Sequence, residues 1–387
     1  MKKNNLILLL LFLSISLFSQ TNQQLSLEQE IDKLELDYNK EDDEKLKNLD
    51  TRALNLYQQS KNEGYTRGMI IASKIYTVIM FNSGNLEEAS KFITEGIELA
   101  IKENDYKSQV SFLSTKAKIY QNSGIVDKTK SAVYKGLKIA DKIEDKDDRH
   151  ISKAYLYVVF LSYGIAESFP KDSLFYFREQ MLKEAKQISK KSLSRNSTLA
   201  YAEIIFAQEY LYGLNENHQV AITHLKYAEE LALKTKSDII KAMVYKDLGK
   251  AHNFISEFEL SAKYYEEAKK YAEASKNKIF LNLVNNEYSE LLLKLGKEEK
   301  ANKLLINSIS NSREIDKSKV KALENILKEE ISIKKDEHER IPLYYYIIIF
   351  TILSLGIFFF YYLRKSKKPE SIDDKNNYEI LDLKNDY

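Results

Sequence analysis

Apolar positions recur at helical spacing along most of the chain, and the helical stretches themselves repeat. SKIYTVIMFNSGNLEEASKFITEGIELA, STKAKIYQNSGIVDKTKSAVYKGLKIA and YSELLLKLGKEEKANKLL each read as a helix, a short turn at Gly and a second helix. Gly84, Gly124, Ser256 and Gly296 fall at the turn, and Ala100, Ala140 and Ala272 at a small site near the end of the second helix, in a register of 40 residues. Ala185 and Ala232 continue that series at steps of 45 and 47. The unit is a helical hairpin, predicted at 66–103, 106–143, 147–190, 196–236, 238–275 and 278–313, with a less regular pair within 26–62. The array proper therefore covers 66–313, behind an N-terminal helical cap of 21–65. In 314–341, Val320, Leu323, Leu327 and Ile331 form one apolar stripe, suited to covering the open end of the stack.

Hairpin five, YKDLGKAHNFISEFELSAKYYEEAKKYAEA, carries a more specific pattern in Tyr245, Leu248, Gly249, His252, Ser261, Tyr265 and Ala268. Small residues at Gly249, Ser261 and Ala268 let two helix backbones approach, and aromatics between them fill the groove. In these positions the chain resembles the tetratricopeptide repeat family. His252 stands where that family has Tyr, and Glu273 replaces its closing Pro, so the second helix can run on and the step exceeds the usual period of about 34 residues.

The resemblance implies an all-α solenoid whose inner wall, lined by the first helix of each hairpin, binds peptides or protein segments. It places there Lys74, Phe81 and Asn82, then Lys118, Gln121 and Asn122. Lys246, Lys250, Asn253 and Phe254 follow from hairpin five, and Asn286 and Glu290 from hairpin six. Such amides and lysines can pair with the backbone and carboxylates of an extended peptide, although they depart at several positions from the clamp of the family's chaperone-binding members.

Two further apolar segments set the expected location. Lys2 and Lys3 precede an apolar run from Leu6 to Phe18, the pattern of a secretory signal peptide over 1–20. Within 342–363, Leu343 to Leu363 carry no charge, with Tyr344, Tyr345 and Tyr346 at one end and Tyr361 and Tyr362 at the other. This predicts a transmembrane helix about 31 Å long. Arg364, Lys365, Lys367 and Lys368 follow it and mark the cytoplasmic side. The expectation is a single-pass cell-membrane protein with an extracytoplasmic, periplasmic array and a cytoplasmic tail over 364–387. That tail is too short for a DNA-binding module, but YEILDLKNDY at its end suits folding onto a cytoplasmic partner.

Composition narrows the function classes. Only 3 Pro and 11 Gly occur, so few segments contain a helix breaker. A net charge of +2 does not suggest a nucleic-acid protein, and the absence of Cys removes disulfides, thiolate chemistry and a lipid-bearing cysteine. No phosphate loop, dinucleotide fingerprint, nucleophile elbow or HExxH zinc motif occurs, so neither enzyme activity, a cofactor nor a metal is expected. His218 and His224 are 6 residues apart and face different sides of a helix. Tyr76, Tyr120, Tyr265 and Tyr288 occupy groove-filling positions of the repeat. The chain resembles membrane transducers that join an exported repeat array to a cytoplasmic effector, which implies the sensor part of a signalling system. An envelope scaffold or assembly factor without signalling is the alternative, and a helical-toroid enzyme would require clustered carboxylates that the repeat frame does not bring together.

Overall fold

A computed structural model describes residues 25–39, 48–166, 170–212, 217–339, 350–352 and 354–356. Among them there is no strand. A helix over 25–39 (α1) and α2 (Leu49–Asn62) precede six hairpins. These are α3 (Thr66–Asn82) with α4 (Leu86–Lys102), α5 (Tyr106–Asn122) with α6 (Val126–Ala140), and α7 (Lys146–Ala166) with α8 (Lys171–Gln187). They continue as α9 (Ser194–Tyr212) with α10 (His218–Ala232), α11 (Asp238–Phe254) with α12 (Phe258–Ala274), and α13 (Lys278–Lys294) with α14 (Glu298–Glu339). The described residues thus form an all-helical array of stacked hairpins.

The turns follow from local chemistry. Gly84 takes a left-handed φ of 80°, which lets the Asn85 N–H return to the Met80 carbonyl at 2.9 Å and close the end of α3. The Asn85 side chain then accepts from the Glu88 N–H at 3.3 Å and starts α4. The same return bond joins Ile125 to Tyr120, Glu257 to His252 and Lys297 to Leu292. Between hairpins, Asp105 and Asn277 cap α5 and α13 in the same way as Asn85 caps α4.

Packing depends on small residues where helices cross. A Cβ placed on Gly96 would lie 2.3 Å from the Phe112 ring, so α4 approaches α5 through a missing side chain. In hairpin five, Gly249 lies under Tyr265, and Ser261 donates its hydroxyl to the Gly249 carbonyl at 2.6 Å. Tyr120, Tyr265 and Tyr288 are among the largest fully buried side chains.

The chain divides into two compact units, 1–329 and 330–387. In the first, α14 does more than complete hairpin six. It runs without interruption through 313, where a boundary was expected, and its next turns pack on the first hairpin. Ile315 lies 2.8 Å from the Cβ that Gly84 lacks. Glu87 N–H donates to Ser318 Oγ at 2.8 Å, and Ala322 and Ile326 are wholly buried in one cluster with Ile31, Leu34, Ala89 and Ile93. Asn277 also reaches Asn82 at 3.4 Å, so the last hairpin contacts the first. The buried face of α14 takes in only part of the stripe expected from the sequence: Leu323 packs against this cluster while Val320 and Ile331 are exposed, and the helix covers the start of the array.

The second unit, among its described residues, holds the end of α14 and helical residues 350–352 and 354–356. The expected single-pass membrane location is corrected here. Among the described residues no helix is long and apolar enough to cross a membrane. Inside 342–363 the described residues are 350–352 and 354–356, all helical. The rest of that segment, the leader over 1–20 and the tail over 364–387 lie outside the described residues.

Candidate functional site

The first helices place the residues expected on the inner wall, but spend most of them on one another. Lys74 of α3 is buried and pairs with Glu35 of α1 at 3.1 Å. Lys118 of α5 hydrogen-bonds the Tyr155 hydroxyl of α7 and lies 5.5 Å from the ring of Phe81, itself a core residue. Gln121 donates to Ser162 at 3.3 Å, again from α5 to α7. Asn253 of α11 accepts from Lys294 of α13 at 3.3 Å, and Lys250 lies 3.9 Å from Glu290. Asn82 is taken by Asn277, and Asn286 accepts from Ser308 of α14 at 2.6 Å. These bridges link neighbouring first helices or hold the last hairpin in place. Asn122, Phe254, Asn286 and Glu290 remain exposed, with Phe254 stacked on His218 at 4.7 Å.

Lys246 shows the effect most strongly. It is 3% exposed, beside the wholly buried Asp247, with Tyr212 at 3.3 Å and Glu287 at 3.6 Å. Asp247 also receives Gln208 at 2.9 Å, so α9, α11 and α13 share one buried polar network. Burial works against the Lys246 ammonium, but Asp247, Tyr212 and Glu287 outweigh it and hold its pKa well above the ordinary value. Tyr212 is 39% exposed as a whole residue, but its hydroxyl sits inside this network, and the desolvation there pushes the phenol up, with Lys246 opposing and Asp247 adding to the rise. A cation so enclosed and neutralised serves the array rather than an incoming partner.

An open groove of about 630 Å³ lies elsewhere, on the second helices α12 and α14 with α13 as its floor. Lys300, Lys303, Asn307 and Asn311 line it from one face of α14, at steps of three and four. Lys269 and Lys270 face them from α12, and Leu281, Asn285 and Tyr288 form the floor. Tyr288 donates to Glu266 at 2.9 Å, which also binds Lys300 at 2.9 Å. The Lys300 ammonium first and burial second act on Glu266 in opposite senses, and the ammonium prevails, holding that carboxyl below its ordinary range. Asn285 is 3% exposed and its Oδ1 has no hydrogen-bond partner. None of the residues expected on the inner wall lines this groove.

A signal for the groove exists in the sequence. Asn282 and Asn285 stand where Ala242 and Tyr245 stand 40 residues earlier, and the opposing α14 reads NSISNS over 307–312. Of these, Asn285 lines the groove, whereas Asn282 donates to Ser312 of α14 at 2.9 Å. Among the described residues no cluster of His, Cys, Asp or Glu could hold a metal ion.

No protein-family model matches the chain, and no curated protein matches it. Among solved structures it is similar to a crystal structure of a signal transduction ATPase with numerous domains, a protein with a tetratricopeptide repeat sensor from Pyrococcus horikoshii, at 18% identity and a TM-score of 0.45. The match covers 74% of this chain and 45% of that one, so this chain spans less than half of its length.

Proposed function

We propose that the chain is a non-enzymatic repeat protein that binds a peptide or protein segment and acts as the input element of a signalling system. The observation that carries this reading is the double use of α14. Lys300 to Asn311 line the groove, and the following turns, through Ile315, Ser318, Ala322 and Asn325, hold the first hairpin. A segment lying in the groove bears on the same helix that joins the two ends of the array. Binding and closure are then linked through one rigid element, and a change in one biases the other.

A photoreactive residue in place of Asn307, compared with one in place of the exposed Lys138 of α6, tests the binding reading in the full chain. One protein captured from Asn307 and not from Lys138 supports it, whereas no capture, or the same set from both positions, overturns it. Hydrogen exchange across 315–326 tests the input role. Exchange that is unchanged when the captured protein is added leaves a scaffold, and the signalling part of the proposal falls.

A further inference from the structure

Resting on the reading of the groove as a ligand site, we infer that its occupant is an acidic segment of a partner protein, bound in extended conformation. The lining carries four lysines, Lys269, Lys270, Lys300 and Lys303, against two glutamates, Glu266 and Glu273. Two of the lysines are neutralised within the lining, Lys300 by Glu266 at 2.9 Å and Lys269 by Glu273 at 2.7 Å. Lys270 is 66% exposed and reaches Glu267 outside the lining, and Lys303 makes no ion pair among the described residues. The unpaired positive charge of the lining therefore sits on the α14 wall at Lys303, where an entering carboxylate meets it without breaking an internal pair, and the exposed Lys270 on α12 faces the same groove.

The amides select among anions. Asn285 on the floor has an acceptor without a partner, and Asn307 and Asn311 stand one turn apart on the α14 wall. A half-turn of the Asn285 amide exchanges its oxygen and nitrogen, so it suits a ligand that offers a donor and an acceptor side by side. A peptide bond is such a group, whereas the phosphates of polyphosphate or of a nucleic-acid backbone supply acceptors only. Leu281 and Leu304 add an apolar patch for one side chain. From Lys300 to Asn311 the α14 wall is about 16 Å long, room for about five residues of extended chain.

The test uses the full chain and fluorescence anisotropy with a labelled peptide of alternating Glu and Gly, its Lys counterpart, and short polyphosphate as competitor. The Glu peptide is expected to bind at least about tenfold more tightly than the Lys peptide, and Lys303→Glu to weaken it by about tenfold or more. Lys138→Glu, a matched charge change on α6, is expected to alter binding less than about twofold. Asn285→Leu is expected to weaken binding while the melting temperature holds or rises, which a purely structural asparagine would not show. Equal binding of the two peptides, or equal losses in Lys303→Glu and Lys138→Glu, overturns the inference. Polyphosphate that displaces the peptide, together with indifference to Asn285→Leu, overturns it in favour of a phosphate surface. Protein capture from position 307 without binding of the Glu peptide overturns the acidic occupant and leaves the groove reading standing, and failure of both removes both.

Discussion

Asn325 donates its side-chain amide to Ser90 Oγ at 3.0 Å across 235 residues of chain. The last helix of the array thereby satisfies a hydroxyl in the second helix of the first hairpin, and the apolar contacts of Ala322 and Ile326 lie on either side of it. A stack of hairpins that contacts only its neighbours would lose and gain stability piecewise. Contact between the ends adds a term that every hairpin shares.

Ile326→Ala should therefore cost about 2–5 kcal/mol, as a wholly buried isoleucine does. Val320→Ala, on the exposed face of the same helix, should stay within about 0.5 kcal/mol. Chemical denaturation of both variants checks this. Equal midpoints would mean that α14 does not hold the first hairpin in solution.

Gly96→Ala tests the close crossing of α4 and α5. The added methyl must displace the Phe112 ring, at a cost of about 1–3 kcal/mol. A second change, Phe112→Leu, makes room and should recover part of the loss. Thermal melts of the single and double variants measure the coupling, and simple additivity would place the clash elsewhere.

Lys246 and Lys250 stand one turn apart and look equivalent in the sequence, yet the structure separates them. Lys246→Met strands the buried Asp247 and Glu287 carboxylates and should cost about 3–5 kcal/mol. Lys250→Met breaks a long contact to an exposed glutamate and a 5.5 Å approach to the exposed Phe254 ring, and should cost less than about 1 kcal/mol. Urea midpoints distinguish the two, and similar values would show that the network around Asp247 contributes nothing.

Alkaline pH should destabilise the array. The pKa of Lys246 is held up against burial by its acidic and phenolic neighbours, and those of Tyr212 and Tyr265 are raised first by burial. In each case the folded form keeps its proton to higher pH than the unfolded chain does. Stability is then fully present below about pH 10 and falls as pH rises through the window above it. Tyr212→Phe removes one such group and should flatten the fall in melting temperature above about pH 10. A fall as steep as that of the parent protein would contradict the enclosure of the Tyr212 hydroxyl between Lys246 and Asp247.

Local chemistry made the hairpins legible without coordinates. Gly84, Gly124 and Gly296 mark left-handed helix ends, Asn85 and Asp105 sit where caps belong, and Gly249, Ser261 and Ala268 mark a close crossing, all within a few residues of the feature they produce. The residues expected on the inner wall lie on first helices, but the partners that hold Lys74, Lys118, Gln121 and Asn253 come from about one repeat away. Whether Lys246 faces solvent or Asp247, Tyr212 and Glu287 depends on how α9, α11 and α13 stack.

Tertiary structure alone decided the rest. No Gly or Pro falls between 298 and 339, so nothing local ends α14 where the repeat frame would end it. Two apolar faces run along that helix, and the sequence does not rank them. Ala322 and Ile326 are wholly buried, and Ile315 and Leu323 partly, because the first hairpin arrives against them, while Val320 and Ile331 are exposed. Periodicity along a chain reports which residues could share a face; which face is removed from water is set by the surface that returns to cover it, here one that lies more than two hundred residues away.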